Sequence, residues 1–164
     1  MRALISNCQD ALDKISCESL VNRDCLGEES KLKMELNLNK EERTITIRDT
    51  GCGMTKEELK INLGTKNSGT KVFRALHREL YLIGEFGVGF YSSYMVAEKV
   101  VVRSKHNDDE HWIWTSTGGG TFDMMKDPNP TLTRGTEITL HLRDHAADNI
   151  DEKKLVEIVR DYRR

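Results

Sequence analysis

Hydrophobic and polar positions change period several times along this chain. Leu32, Met34, Leu36 and Leu38 alternate strictly with polar or charged residues, which predicts a half-buried strand over 31–38. Asn39-Lys40-Glu41-Glu42 then turns the chain into a second alternating run, Thr44-Ile45-Thr46-Ile47-Arg48-Asp49, so the two form a hairpin. Residues 2–16 follow the helical period instead. Leu4, Ile5, Cys8, Ala11, Leu12 and Ile15 make one apolar face, and Asn7, Asp10 and Lys14 make a separate polar stripe. Ala3, four residues before Asn7, falls on that stripe. Thr55-Lys56-Glu57-Glu58 is a capping box that starts a short helix. Gly64, Gly69, Gly84, Gly87 and Gly89 punctuate 64–90, which predicts a mobile segment with a helix near 70–80. Residues 90–97 read as helical, and Val100–Val102, Trp112–Trp114 and Thr121-Phe122 as strands. Over 136–142, Thr136, Ile138, Leu140 and Leu142 share one strand face. A helix over 151–162 places Leu155, Val156, Ile158, Val159 and Tyr162 on one side. Hairpins with helices between them predict an α+β fold: a two-layer α/β sandwich with a mainly antiparallel sheet covered by helices.

Composition narrows the picture. A chain of 164 residues is one domain's worth, so these elements must share one core. A net charge of −2 gives no reason to expect nucleic acid. No apolar run approaches the length of a membrane span, and no signal peptide is visible. Cys8, Cys17, Cys25 and Cys52 lack the spacing of a zinc site; disulfides stay open, although a domain of this size does not need them. Met1 leads straight into the helical pattern without a capping residue, which reads as a chain started inside a larger unit.

The candidate chemistry centres on Asp49-Thr50-Gly51-Cys52-Gly53-Met54. Ile45, Ile47 and Asp49 share a strand face, so the carboxylate points inward with the core residues. An inward carboxylate is costly unless something hydrogen-bonds it. Gly51 and Gly53 would let the backbone bend and let a ligand come close. Taken alone, the segment reads either as a turn-initiating Asp or as a buried acceptor suited to the exocyclic amine of a purine. Thr136, beside Gly135, is a second polar group on the core side. Gly84-Glu85-Phe86-Gly87-Val88-Gly89-Phe90 offers main-chain N–H groups of the kind that cradle phosphates. Its spacing is neither that of a dinucleotide fold nor that of a P-loop, and by itself it could equally be a hinge.

Together these segments resemble the N-terminal ATP-binding domain of the Hsp90 chaperones, within the class of gyrase, Hsp90, histidine kinase and MutL ATPases. Leu4-Ile5-Ser6-Asn7 with Asp10-Ala11-Leu12-Asp13-Lys14 resembles the first helix motif, and Asp49 to Thr55 the adenine motif. Asn62-Leu63-Gly64-Thr65 and Ser68-Gly69-Thr70 resemble lid flanks, with the lid over about 64–86. Ile83 to Ser92 resembles the phosphate loop, and Arg134-Gly135-Thr136 the last ATP contact. The motifs occur in family order across residues 1–164.

The resemblance implies a Bergerat-type fold binding ATP or ADP with Mg2+. Asp49 would accept from the adenine amine, with a water and Thr136 beside it. Gly53, Met54, Asn62 and Leu63 would border base and sugar, while Asp10, Ala11 and Lys14 would line the site from the first helix. Asn7 would bind magnesium, Gly87, Val88, Gly89 and Phe90 would line the phosphates, and Lys66 would be the lid lysine. The family implies client proteins, co-chaperones and dimers, with this fragment monomeric. Residues 134–138 and 140–144 resemble the endoplasmic-reticulum branch, with the cytoplasm as the alternative.

The departures from the family pattern bear on activity. The general-base glutamate expected four residues before Asn7 is replaced by Ala3. Losing a positioned base costs roughly 10²–10⁴-fold in rate. Glu85 stands where Gln is usual, the lid is short, and the family's preceding strand and helix are missing. The reading is therefore a nucleotide-binding domain with impaired hydrolysis. Its alternatives are an ATPase active in a longer chain and a degenerate paralogue that serves as a protein-interaction fragment.

Overall fold

The computed structural model describes residues 2–63, 97–116, 122–144, 153 and 156–157. Among the described residues, six antiparallel strands form one sheet in the order β1-β2-β6-β3-β4-β5. They are β1 (Met34–Asn39), β2 (Thr44–Asp49), β3 (Ala97–Lys105), β4 (His111–Ser116), β5 (Phe122–Lys126) and β6 (Gly135–Leu142). Helix α1 (Arg2–Val21) packs on β2, and the short helix α2 (Lys56–Leu63) inserts Leu59 into the core. The α+β sandwich with an antiparallel sheet is the architecture that the alternation predicts.

Register lines the inner face with three cross-strand rows. Leu38, Ile45, Leu140 and Val100 make one; Leu36, Ile47, Ile138, Val102, Trp114 and Met124 make the next. Both are apolar, and Cys8 of α1 belongs to the same buried cluster. The third row is Met34, Asp49, Thr136, Ser104, Trp112 and Lys126. Its centre is polar, although Asp49, Thr136 and Ser104 are all buried. Arg48, Glu137 and Arg103 occupy the opposite face, with Arg48 3.7 Å from Glu137 and Arg103 3.8 Å from Asp127. One apolar face and one charged face make a two-layer fold out of a single sheet.

Several boundaries differ from the sequence expectation. α1 continues past residue 16 to Val21. The apolar period stops after Ile15 because the last turns leave the core; Leu20 and Val21 are exposed. β1 begins at Met34, not at 31. Thr50 takes up the preceding main chain: its hydroxyl donates to Lys31 O (2.7 Å) and accepts from Lys33 N (2.9 Å), and its own N–H donates to Lys33 O (3.0 Å). Ala97 is not helical but opens β3 opposite Leu142. β5 runs through Lys126, because Trp112 and Trp114 of β4 pair with it along its length. A 3-10 turn, Arg23–Leu26, capped by Asn22, was not anticipated. Thr55 does cap α2, accepting from Glu58 N (3.2 Å), and Asp109 adds a second cap by accepting from Lys56 N (2.8 Å). These main-chain donors, Lys56 N–H first and Glu110 N–H next, hold the Asp109 carboxyl below its usual range. Lys153, Val156 and Glu157 are helical within the predicted last helix, but Val156 is exposed rather than packed. The predicted helices near 70–80 and over 90–96 lie outside the described residues.

Candidate nucleotide site

The polar row is built where three central strands end together. Asp49 is the last residue of β2 and pairs with Thr136; Thr136 in turn pairs with Ser104 of β3. Asp49 is 3% exposed. Gly51 N–H donates to its Oδ1 at 2.9 Å, closing a tight Asx turn. Burial is the main influence on its pKa, pushing it up from 3.8 to about 6. The Gly51 N–H, the Cys8 thiol, the Thr136 N–H and the Arg134 charge pull the other way, in that order. At neutral pH Asp49 is mostly ionised, so it is an acceptor only. Cys8 responds in the opposite sense: burial and then the neighbouring carboxylate push its thiol far above the ordinary range. Burial likewise raises Cys52. All four cysteines are free, and Cys8 and Cys52 are protonated, buried and unreactive.

Ser104 ties the row to the turn. Its hydroxyl lies 2.8 Å from the Thr136 hydroxyl and 3.2 Å from Gly135 O, and it accepts from Met54 N at 2.8 Å. Arg134 is buried behind the same turn. Its Nε donates to Thr50 O and Gly51 O, both at 3.1 Å, and its Nη2 to Thr50 O at 2.7 Å.

The glycines of the turn also allow parts of the chain itself to come close. A methyl group added at Gly51 would lie 2.6 Å from Ala11 Cβ, and one at Gly53 would lie 2.1 Å from Lys105 O. The close approach here is between parts of the chain, α1 on one side and the end of β3 on the other. Gly53 also has φ +69°, which favours glycine. Cys52 N–H donates to Ala11 O (3.2 Å), so the main chain of α1 holds the turn.

The structure thus brings Asp49, Gly53, Met54 and Thr136 together, with Ala11 against the turn. Asp10 and Lys14 are exposed on α1. The side chains of Ala3, Asn7, Asn62 and Leu63 lie outside the described residues, as do Lys66, Gly87, Val88, Gly89 and Phe90 altogether. Sequence reasoning missed Ser104, the burial of Arg134 within its motif and the polar contact of Cys8. Ser104 was legible, because Val100, Val102 and Ser104 continue one alternation past the residues assigned to that strand. Cys8 fitted the apolar face of α1, and no pattern marked Arg134 as buried.

An inward carboxylate on a strand end, a hydroxyl pair beside it and a helix across the turn make a polar cluster with the chemistry to accept a hydrogen-bond donor. Residues 4–120 match the family described as "Histidine kinase-, DNA gyrase B-, and HSP90-like ATPase", and the chain belongs to that family. Within it the chain is an ATP-binding domain of the Hsp90 kind. It is similar over 99% of its length to the "Endoplasmin homolog" of Catharanthus roseus (50% identity) and that of Arabidopsis thaliana (49%), covering 21% and 20% of those proteins. It is also 40% identical, over 99% of its length, to the human "Putative heat shock protein HSP 90-beta 4", of which it covers 33%. The chain spans about a fifth of the length of the endoplasmin homologs. Among the described residues, no helix is long and apolar enough to cross a membrane.

Proposed function

We propose that this chain binds ATP and ADP as the nucleotide domain of an endoplasmin-like chaperone and hydrolyses ATP negligibly by itself. The observation that carries the reading is the Asp49–Thr136–Ser104 row. A buried carboxylate that is kept ionised has acceptor capacity beyond the Gly51 N–H it already receives, and an exocyclic purine amine suits it. Thr136, tied to Ser104, presents a hydroxyl beside that acceptor. Met54, Asn62 and Leu63 would border base and sugar, and Asp10, Ala11 and Lys14 would line the α1 side. The Gly87–Phe90 amides and Lys66 would meet the phosphates.

Magnesium would assist by neutralising phosphate charge. Asn7, one helical turn before Ala11, would supply one hard oxygen, which suffices because phosphates and waters complete its shell. Ala3, a further turn back, has a methyl group where proton abstraction requires a base. Chaperone partners would be client proteins and co-chaperones, reached through a longer dimeric protein in the endoplasmic-reticulum lumen, with the 164-residue chain itself a monomer. This compartment rests on the similarity to endoplasmin homologs.

Calorimetric titration with ADP, with and without magnesium, tests binding. A steady-state turnover assay then compares wild type with Ala3→Glu, using an Hsp90-type inhibitor to define background. ADP binding is expected with no inhibitor-sensitive turnover in wild type and little gain in Ala3→Glu, because a base without an aligned water and phosphate-stabilising cations does little. Inhibitor-sensitive turnover in wild type would show that another residue serves as base.

A further inference from the structure

We propose that Arg134 is the positioning residue of the base-recognition site, clamping the turn that follows Asp49 and keeping its carboxylate available as an acceptor; this rests on the adenine reading above. Arg134 is 2% exposed. Every hydrogen bond it makes among the described residues ends on a main-chain carbonyl: Thr50 and Gly51 from Nε, Thr50 again from Nη2, and Leu26 from Nη1 at 2.5 Å. One planar fork holds the two carbonyls immediately after Asp49 and ties them to Leu26 of the 3-10 turn, in a way that a single ammonium cannot.

Ala11 O and Ser104 anchor the later residues of the turn, Cys52 and Met54, and Arg134 anchors its first two carbonyls. Gly51 has no side chain to anchor it, and Asp49 Oδ1 depends on the Gly51 N–H for its own orientation. Gly135, next to Arg134, packs so tightly that an added methyl would lie 1.9 Å from Asp49 O. The arginine and the carboxylate turn are thereby held as one unit.

Because the guanidinium donates to carbonyls and not to a carboxylate, its charge is left to act on Asp49, the buried anion beside it. The other groups facing Asp49 are the Cys8 thiol from α1, the Gly51 N–H from the turn and the Thr136 N–H from β6. Cys52 in the turn also senses the carboxylate. Arg134 is the cation of this set, and its field favours the ionised form that an amine donor requires.

Two variants separate the clamp from the charge. Arg134→Gln keeps two donors and loses the charge; Arg134→Lys keeps the charge and loses the fork. Asp49 is titrated by carboxyl 13C NMR in the ligand-free chain, and ADP affinity is measured from pH 5 to 8. In Arg134→Gln the Asp49 midpoint is expected to rise, since the positive charge that lowers it is lost. ADP binding should then weaken more at pH 6.5 than at pH 8. In Arg134→Lys the midpoint should stay near wild type while affinity falls about equally at every pH. An unmoved Asp49 midpoint in Arg134→Gln, or a loss in that variant that is flat across pH, would overturn the electrostatic role. Wild-type affinity in Arg134→Lys would overturn the clamp. If the Asp49 midpoint moves but the wild-type chain binds no ADP, the adenine reading fails and the coupling of Arg134 to Asp49 stands.

Discussion

Asp49→Asn should separate stability from ligand recognition. Burial holds the Asp49 pKa at about 6 in the folded chain against 3.8 for an ordinary aspartate. The folded state therefore binds more protons than the unfolded state between these values. Stability falls as pH rises through this window, and the deficit is complete above about pH 6. The displacement corresponds to roughly 3 kcal/mol, which the wild type loses by keeping a buried charge. An asparagine cannot ionise, yet its amide oxygen can still accept from Gly51 N–H. Urea denaturation of both proteins from pH 4 to 8 measures the difference directly. The two should be nearly equal at pH 4, where Asp49 is neutral, and the variant should gain progressively, by up to roughly 3 kcal/mol, by pH 7.5. Above about pH 7, where wild-type Asp49 is ionised, ADP affinity should fall about 10- to 150-fold in the variant, the weight of a hydrogen bond to a charged group at 1.5–3 kcal/mol, and the difference should shrink towards pH 4. A stability difference that does not vary with pH would show that Asp49 does not carry the raised pKa. Unchanged ADP affinity would remove the adenine assignment.

Other positions give sharper yes-or-no outcomes. Gly135→Ala should destabilise the chain by at least about 3 kcal/mol in chemical denaturation, because φ is +118° and the new methyl would meet the Asp49 carbonyl; a change under about 1 kcal/mol would contradict the packing described. Asn7→Ala should weaken Mg-ADP binding more than metal-free ADP binding in calorimetry, whereas equal losses would make Asn7 structural.

The sequence by itself determined the layers of this protein. Strict alternation in 34–38, 44–49 and 136–142 could bury one face of each strand only if the strands share a core, and the apolar stripe of Cys8, Leu12 and Ile15 covers that core. The same alternation placed Asp49 and Thr136 inward. It could not say that they are neighbours, since 86 residues separate them and strand register depends on the whole sheet. Only the tertiary structure decided that β6 inserts between β2 and β3, which puts Asp49, Thr136 and Ser104 in one row. It also revealed the close contact between Gly53 and Lys105, which has no local signature. Arg134 is the extreme case. An arginine in a polar stretch ordinarily reads as surface, and its burial depends on carbonyls from Leu26, Thr50 and Gly51 that converge only when the chain has folded.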